Sequence, residues 1–126
     1  MRTKESEEMY LETILLLQRR KPEVRSVDVV EELGFAKSSV SFAVHLLEKR
    51  GYLTMNEIGV IRLTEEGRAK AESIYERHRV ITELFTRLGA DEKLAEQDAC
   101  RIEHVISPEM FELIKKFVGE DPSAKN

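Results

Sequence analysis

The hydrophobic pattern of this chain changes period near residue 52, and this change constrains the fold more than any other feature. Apolar residues recur at helical spacing in three segments, 6–18, 27–33 and 37–50. In the two short stretches that follow, 52–56 and 60–64, apolar and polar residues alternate on either side of a glycine-containing turn. The first half of the chain is therefore predicted to form three helices followed by a β-hairpin.

Capping and helix-breaking residues mark the predicted helix ends. We expect Ser6 to cap the first helix and Lys21-Pro22 to end it. Glycines at 34 and 51 stop the second and third helices. The second half of the chain predicts three more helices, whose boundary residues are Thr64, Gly89, Asp91, Ser107 and Pro108.

These elements predict a mainly α fold with two domains. Residues 1–66 are expected to form a winged helix-turn-helix, in which three helices are followed by a two-stranded wing. Residues 67–126 are expected to form a helical second domain. No apolar run approaches the length that spans a bilayer, and the N-terminus lacks the apolar stretch of a signal peptide, so we expect a cytoplasmic protein.

The winged unit predicts DNA binding, because the second helix of such a pair enters the major groove. The residues expected to contact DNA from the start of that helix are Lys37, Ser38, Ser39 and Ser41, with Arg25, Asn56 and Arg62 placed to contact the backbone. The competing interpretations are that Ser38 and Ser39 only cap the helix, or that the winged unit binds protein. Phe42 either contacts a thymine methyl group or packs inward, and we favour packing.

The charge of the chain limits the kind of nucleic-acid binding that is expected. The net charge is −4, which argues against a protein that holds nucleic acid through bulk positive charge. Bases and acids balance in residues 1–63, whereas acids are in excess in residues 64–126. A neutral half can still present a local basic surface, and an acidic half is suited to capturing a cation.

Three metal-ligand types occur within one helical turn near the end of the chain. Cys100, Glu103 and His104 are spaced so that a helix would place them on one face, where a thiol, a carboxylate and an imidazole converge. This mixed donor set suits a borderline transition ion better than Ca²⁺ or Mg²⁺. The plainer interpretation is a packed cysteine beside solvated polar residues.

Taken together, four segments resemble the diphtheria-toxin-repressor family of metal-dependent transcriptional repressors. These segments are Glu8–Ile14, the winged unit, Arg77–Arg79 and Asp98–Val105, and they cover nearly the whole chain. The chain is similar to the short two-domain form without an SH3-like domain. The resemblance implies that residues 67–126 bind metal and form a dimer, and that the metal joins the first helix to this second domain.

The resemblance also implies a ligand set. Met9, Cys100, Glu103 and His104 match the primary site of iron-responsive members, whereas Glu12 and His78 match positions that complete a two-metal site in manganese-responsive members. Manganese-type members have acidic residues where Met9 and Cys100 stand, so the softer donors here favour Fe²⁺ over Mn²⁺. We expect Zn²⁺, Co²⁺ or Ni²⁺ to bind in vitro. A second ion would use Glu12, His78 and a shared carboxylate.

The expected function is a repressor that binds double-stranded operator DNA as a homodimer when loaded with Fe²⁺ or Mn²⁺, without a membrane or a small-molecule substrate. The alternative is a winged-helix redox sensor that acts through Cys100. An enzyme is disfavoured because no HExxH, phosphate-binding loop or nucleophile triad accompanies the cluster. Six apolar residues form either the dimer interface or the monomer core: Val105, Ile106, Met110, Leu113, Ile114 and Phe117.

Overall fold

The computed structural model describes residues 4–120, with side chains from 6 to 119. Residues 1–3 and 121–126, the outer ends of the two predicted domains, lie outside the described residues. The described elements, in chain order, are α1 (Lys4–Arg20), α2 (Ser26–Leu33), α3 (Lys37–Lys49), β1 (Leu53–Met55), β2 (Ile61–Leu63), α4 (Glu65–Arg87), α5 (Glu92–Ile102) and α6 (Pro108–Glu120). The predicted mainly α class, with three helices and a wing before a helical part, is confirmed.

The described backbone forms two compact units, which divide within α4 between Ser73 and Ile74. The functional boundary between residues 66 and 67 stays a prediction. Among the described residues, no helix combines the length and the apolar character needed to cross a membrane.

The first unit has a core made by α1, α2, α3 and the hairpin. β1 and β2 are antiparallel, with Thr54 opposite Arg62, and Ile61 donates its backbone N–H to Val24 O at 2.7 Å. Burial of each large aliphatic side chain stabilises such a core by about 1.5–3 kcal/mol. The fully buried members include Tyr10, Leu11, Ile14, Leu15, Val40, Val44, Leu47, Leu53 and Ile61.

Most helix ends lie where the capping and helix-breaking residues of the sequence predict them. Gly34 ends α2 in the left-handed region, at a φ of 72°, which a residue without a Cβ adopts without strain. Thr64, Asp91 and Ser107 each accept a backbone N–H in the first turn of the helix that follows. The prediction for Ser6 is wrong, because α1 already begins at Lys4 and Ser6 lies within it.

One close contact of the first unit concerns Gly67, near the start of α4. A Cβ at this position would lie 1.9 Å from the carbonyl oxygen of Tyr52. The helix therefore approaches the backbone before β1 at a distance that only glycine permits. Thr64 also binds the segment before β1, since its hydroxyl donates a hydrogen bond to Gly51 O at 2.7 Å.

In the second unit, the core consists of Ile81, Ala99 and Phe111, with neighbouring apolar residues packed around them. Of the six residues expected in a dimer interface or a monomer core, Ile106 and Ile114 are half-buried. The other four are at least half exposed: Val105, Met110, Leu113 and Phe117. The monomer-core interpretation is therefore wrong for these four side chains.

Candidate metal centre and nucleic-acid interface

A buried carboxylate stands at the centre of the candidate metal site. Glu103 is fully buried, and its two oxygens face two different imidazole rings. Oε1 lies 2.8 Å from Nδ1 of His78, and Oε2 lies 3.2 Å from Nε2 of His104. The structure thus brings together three of the six predicted metal ligands within the second unit.

The end of α5 creates this arrangement. The helix stops at Ile102, and Glu103 occupies the C-cap position with its N–H bonded to Ala99 O at 2.9 Å. The chain then turns, so that His104 follows outside the helix. The expectation of one continuous helical face for all three clustered residues is therefore wrong, since of the three only Cys100 lies inside α5.

Arg77 holds this turn in place and was missed as a functional residue. Its Nη1 donates to Glu103 O at 3.2 Å and to Ile106 O at 3.1 Å, and its guanidinium lies over the Phe111 ring at 5.5 Å. By fixing the carbonyl of Glu103, it orients the residue that carries the carboxylate. No local pattern could reveal this role, because the accepting carbonyls lie 26 and 29 residues further along the chain.

The donor set fits a divalent transition ion. Two imidazoles and a carboxylate are ligands that such ions take in proteins, and an isolated buried carboxylate requires compensation by positive charge or hydrogen bonds. The side chains of His78 and His104 are 22% and 9% exposed, so solvent reaches this side of Glu103 only partly. The arrangement is suited to capturing a cation.

The remaining predicted ligands are distributed differently. Cys100 is exposed on α5. Met9 and Glu12 are half-buried on α1, in the first unit, and their spacing of three residues places them on one side of that helix. Their membership of the ligand set stays a prediction.

The start of α3 presents the predicted DNA-contacting residues to solvent. Lys37, Ser38 and Ser41 are exposed and Ser39 is half-buried, whereas the opposite side of the helix is buried in the core. The N-cap residue is Ala36, which makes no side-chain cap. The interpretation that Ser38 and Ser39 serve only to cap the helix is therefore wrong.

Arg25 and Arg62 are also exposed, at the N-cap of α2 and on β2. The Arg25 backbone N–H donates to Asp28 Oδ2 at 2.8 Å, while its guanidinium lies 3.6 Å from Glu23. A hydrogen bond from Lys21, with further help from Arg25, lowers the pKa of Asp28 below its ordinary value. Arg25 thus combines a fixed backbone with an exposed cationic side chain.

Three further residues of the interface differ from expectation or were missed. Asn56 Oδ1 accepts the backbone N–H groups of Ile58 and Val60, so this oxygen shapes the wing turn. Phe42 was expected to pack inward, which is wrong, because it is 59% exposed. His45, which the sequence analysis missed, is exposed one turn further along α3.

Known protein families match this chain in both of its halves. Two family models match the chain, "Iron dependent repressor, N-terminal DNA binding domain" over residues 2–58 and "Iron dependent repressor, metal binding and dimerisation domain" over residues 64–123. An uncharacterised HTH-type transcriptional regulator of Methanocaldococcus jannaschii is 32% identical over 116 residues, which cover 90% of this chain and 93% of that protein.

Manganese regulators are also similar to this chain. The HTH-type transcriptional regulator MntR of Lysinibacillus sphaericus is 32% identical over 102 residues, which cover 81% of this chain and 73% of that protein. The structure of the manganese regulator SloR has a TM-score of 0.79 and 25% identity, and the match covers 91% of this chain and 54% of SloR. The chain thus spans about half the length of SloR.

Proposed function

Because the chain belongs to the iron-dependent repressor family, whose members are transcriptional regulators and not enzymes, we propose that it is a repressor that binds operator DNA when loaded with a divalent metal ion. The observation that carries this proposal is the buried carboxylate of Glu103 between the imidazoles of His78 and His104. It acts as a homodimer in the cytoplasm, where its operator DNA is found.

The metal ligands are Glu103 and His104, joined by His78, Cys100, Met9 and Glu12 as the family resemblance implies. When bound, the ion supplies positive charge that links these side chains and neutralises the carboxylates. Fe²⁺ is preferred over Mn²⁺, because a thioether and a thiolate are softer donors than the acidic residues of the manganese type. Since each oxygen of Glu103 faces a different histidine, this carboxylate is suited to sharing between two ions.

The first turn of α3 enters the major groove. Lys37 contacts a phosphate, and the hydroxyls of Ser38, Ser39 and Ser41 contact phosphates or base edges. Two exposed cations, Arg25 and Arg62, contact the backbone and fix the register of the protein on the duplex. This local basic surface compensates for a net charge of −4.

Dimerisation uses the exposed apolar stripe of α6, in which Met110, Leu113 and Phe117 recur at helical spacing. A second copy of this chain covers the stripe, since the matched family model describes residues 64–123 as a dimerisation domain. Leu113→Glu should therefore give a monomer in light scattering. Lys116→Glu, an exposed change on the same helix, is the matched control and should stay dimeric.

Metal binding and DNA binding are linked in this proposal. If the metal favours the arrangement of the dimer that fits two operator half-sites, metal and DNA must tighten each other by the same factor. Measuring the metal affinity with and without operator DNA gives the same coupling as measuring the DNA affinity with and without metal. A metal affinity that operator DNA leaves unchanged would contradict the linkage.

The decisive experiment measures the affinity for DNA duplexes selected from a random library. Binding is compared in chelator, in Fe²⁺ under anaerobic conditions, in Mn²⁺ and in Zn²⁺, at one salt concentration because salt alone changes affinity strongly. We expect tight binding only with metal, and tightest with Fe²⁺. His104→Ala should lose the metal response, whereas Glu96→Ala, an exposed change on α5, should keep it. Equal affinity in chelator and in all ions would refute the proposal.

A second candidate function is redox sensing, which the exposure of Cys100 favours. If the thiol is the sensor, peroxide should release DNA from the wild type and not from Cys100→Ser, while the metal response persists in both. If Cys100 is a metal ligand, Cys100→Ser should instead weaken Fe²⁺ binding.

A further inference from the structure

An aromatic side chain stands on the solvent side of the helix that the proposed function places in the major groove. Phe42 lies in the middle of α3 and is 59% exposed. The residues that anchor α3 in the core, Val40, Ala43, Val44 and Leu47, are buried. The exposure of Phe42 therefore arises from its position on the helix surface.

The helical period places Phe42 at the centre of the outward face. Ser38, Phe42, His45 and Lys49 follow one another at spacings of four, three and four residues, which align on one side of a helix. All four are exposed. This exposed stripe lies on the side of α3 opposite the buried residues. The side of the helix that would face a groove therefore carries a phenyl ring between polar and cationic side chains.

The chemistry of the major groove identifies a partner for this ring. Among the four bases, only thymine presents an apolar group there, the methyl on C5, and an apolar side chain recognises it by contact. Ser38 and Lys49, by contrast, can form hydrogen bonds with phosphates or with polar base edges. We propose that Phe42 reads thymine through its 5-methyl group and so determines part of the operator sequence, an inference that rests on the proposed function.

His45 helps to define the same reading surface. Its Nδ1 lies 2.8 Å from the backbone carbonyl oxygen of Ser41, to which it donates in the Nδ1–H tautomer. This contact holds the ring against α3 one turn beyond Phe42. Because Nδ1 is held in this contact, Nε2 is the ring nitrogen left to interact with DNA from this exposed position.

The test removes single methyl groups from DNA. Duplexes that bind the metal-loaded wild-type protein are selected from a random library, and each thymine of the strongest binder is then replaced in turn by uracil. At one thymine in each half-site we expect about a fourfold loss of affinity, as burial of one methyl group predicts. Restoring a methyl group there with 5-methylcytosine opposite guanine should recover part of the contact.

Variants of Phe42 tie the effect to this side chain. Phe42→Ala should bind the thymine and uracil duplexes equally, whereas Phe42→Leu should retain a preference for thymine because it still offers an apolar contact. Thermal unfolding should be nearly unchanged in both, since the position is exposed. Val27→Ala, an exposed apolar residue on α2, is the control and should keep the full discrimination.

The outcomes separate this inference from the function on which it rests. If no duplex is selected with metal present, the proposed function fails. If a duplex is selected but no uracil substitution weakens binding, or if Phe42→Ala discriminates as well as the wild type does, the role of Phe42 is refuted while the repressor remains.

Discussion

Replacement of Glu103 by glutamine should abolish the metal response while leaving the metal-free protein about as stable as the wild type. In the folded protein the carboxylate is fully buried between two imidazoles. Its burial costs several kcal/mol, and the hydrogen bond between its Oε1 and His78 returns about 1.5–3 kcal/mol. These terms nearly cancel for Glu103, so removing the charge should change the free energy of unfolding without metal by less than about 2 kcal/mol.

The metal-bound state should behave differently. At a free ion concentration a hundred times the wild-type Kd, binding stabilises the folded state by about 2.7 kcal/mol. For a chain of this size that raises the Tm by roughly 10 °C. Loss of an outer contact around a metal ligand already weakens affinity by about 10–100-fold, so loss of a direct ligand should reach at least the upper value. The variant would then gain only about 0.4 kcal/mol, or 1–2 °C.

Calorimetric unfolding with chelator and with Fe²⁺ under anaerobic conditions measures both quantities, and Mn²⁺ serves as the air-stable comparison. Glu96→Gln is the matched control, because it makes the same chemical change at an exposed position of the same helix, α5. It should keep the full metal-induced shift. If Glu103→Gln also keeps that shift, Glu103 is not a ligand and the assignment of the metal centre is wrong.

Three further predictions concern the residues that support the two sites. Arg77→Met should weaken Mn²⁺ binding about 10–100-fold in calorimetric titration, because it frees the turn after α5 without removing a ligand, and an unchanged Kd would contradict this role. Gly67→Ala should lower the Tm by about 5 °C, since the clash with the Tyr52 carbonyl exceeds the gain of about 1 kcal/mol in helix propensity; a raised Tm would refute the close contact. Asp28→Asn should remove about 1 kcal/mol of stability at neutral pH. Because the pKa of Asp28 is lowered by folding, its contribution is complete above the ordinary carboxyl pKa of about 4 and is lost as the pH falls below it, so wild type and variant should converge in acid unfolding.

Sequence reasoning succeeded where the physical cause was local. The caps at Thr64, Asp91 and Ser107 and the stop at Gly34 depend on side chains within one turn of the helix end, and these predictions are confirmed. Ser6 has the same capping chemistry, yet α1 begins before it. A residue that can cap a helix does not by itself require the helix to start there.

Prediction failed where a residue's role depends on distant parts of the chain. The contact of Gly67 with Tyr52 and the two carbonyls held by Arg77 join segments that local periodicity cannot relate. Phe42 illustrates a different failure: hydrophobicity alone favoured burial, although its position on α3 lies opposite the buried stripe. The helical period could have predicted its exposure once Val40, Val44 and Leu47 were assigned to the core.

The position of Glu103 explains why a cation should matter to this fold. The residue caps the C-terminus of α5, where the helix dipole is negative and disfavours another negative charge by about 0.3–1 kcal/mol. Burial disfavours the same charge further. A carboxylate that is disfavoured by both the helix dipole and burial is stabilised by a nearby positive charge, whether an imidazolium or a metal ion. The contact with His78 offsets much of this cost in the metal-free protein, and an ion bound at the same carboxylate would add stability to the folded state.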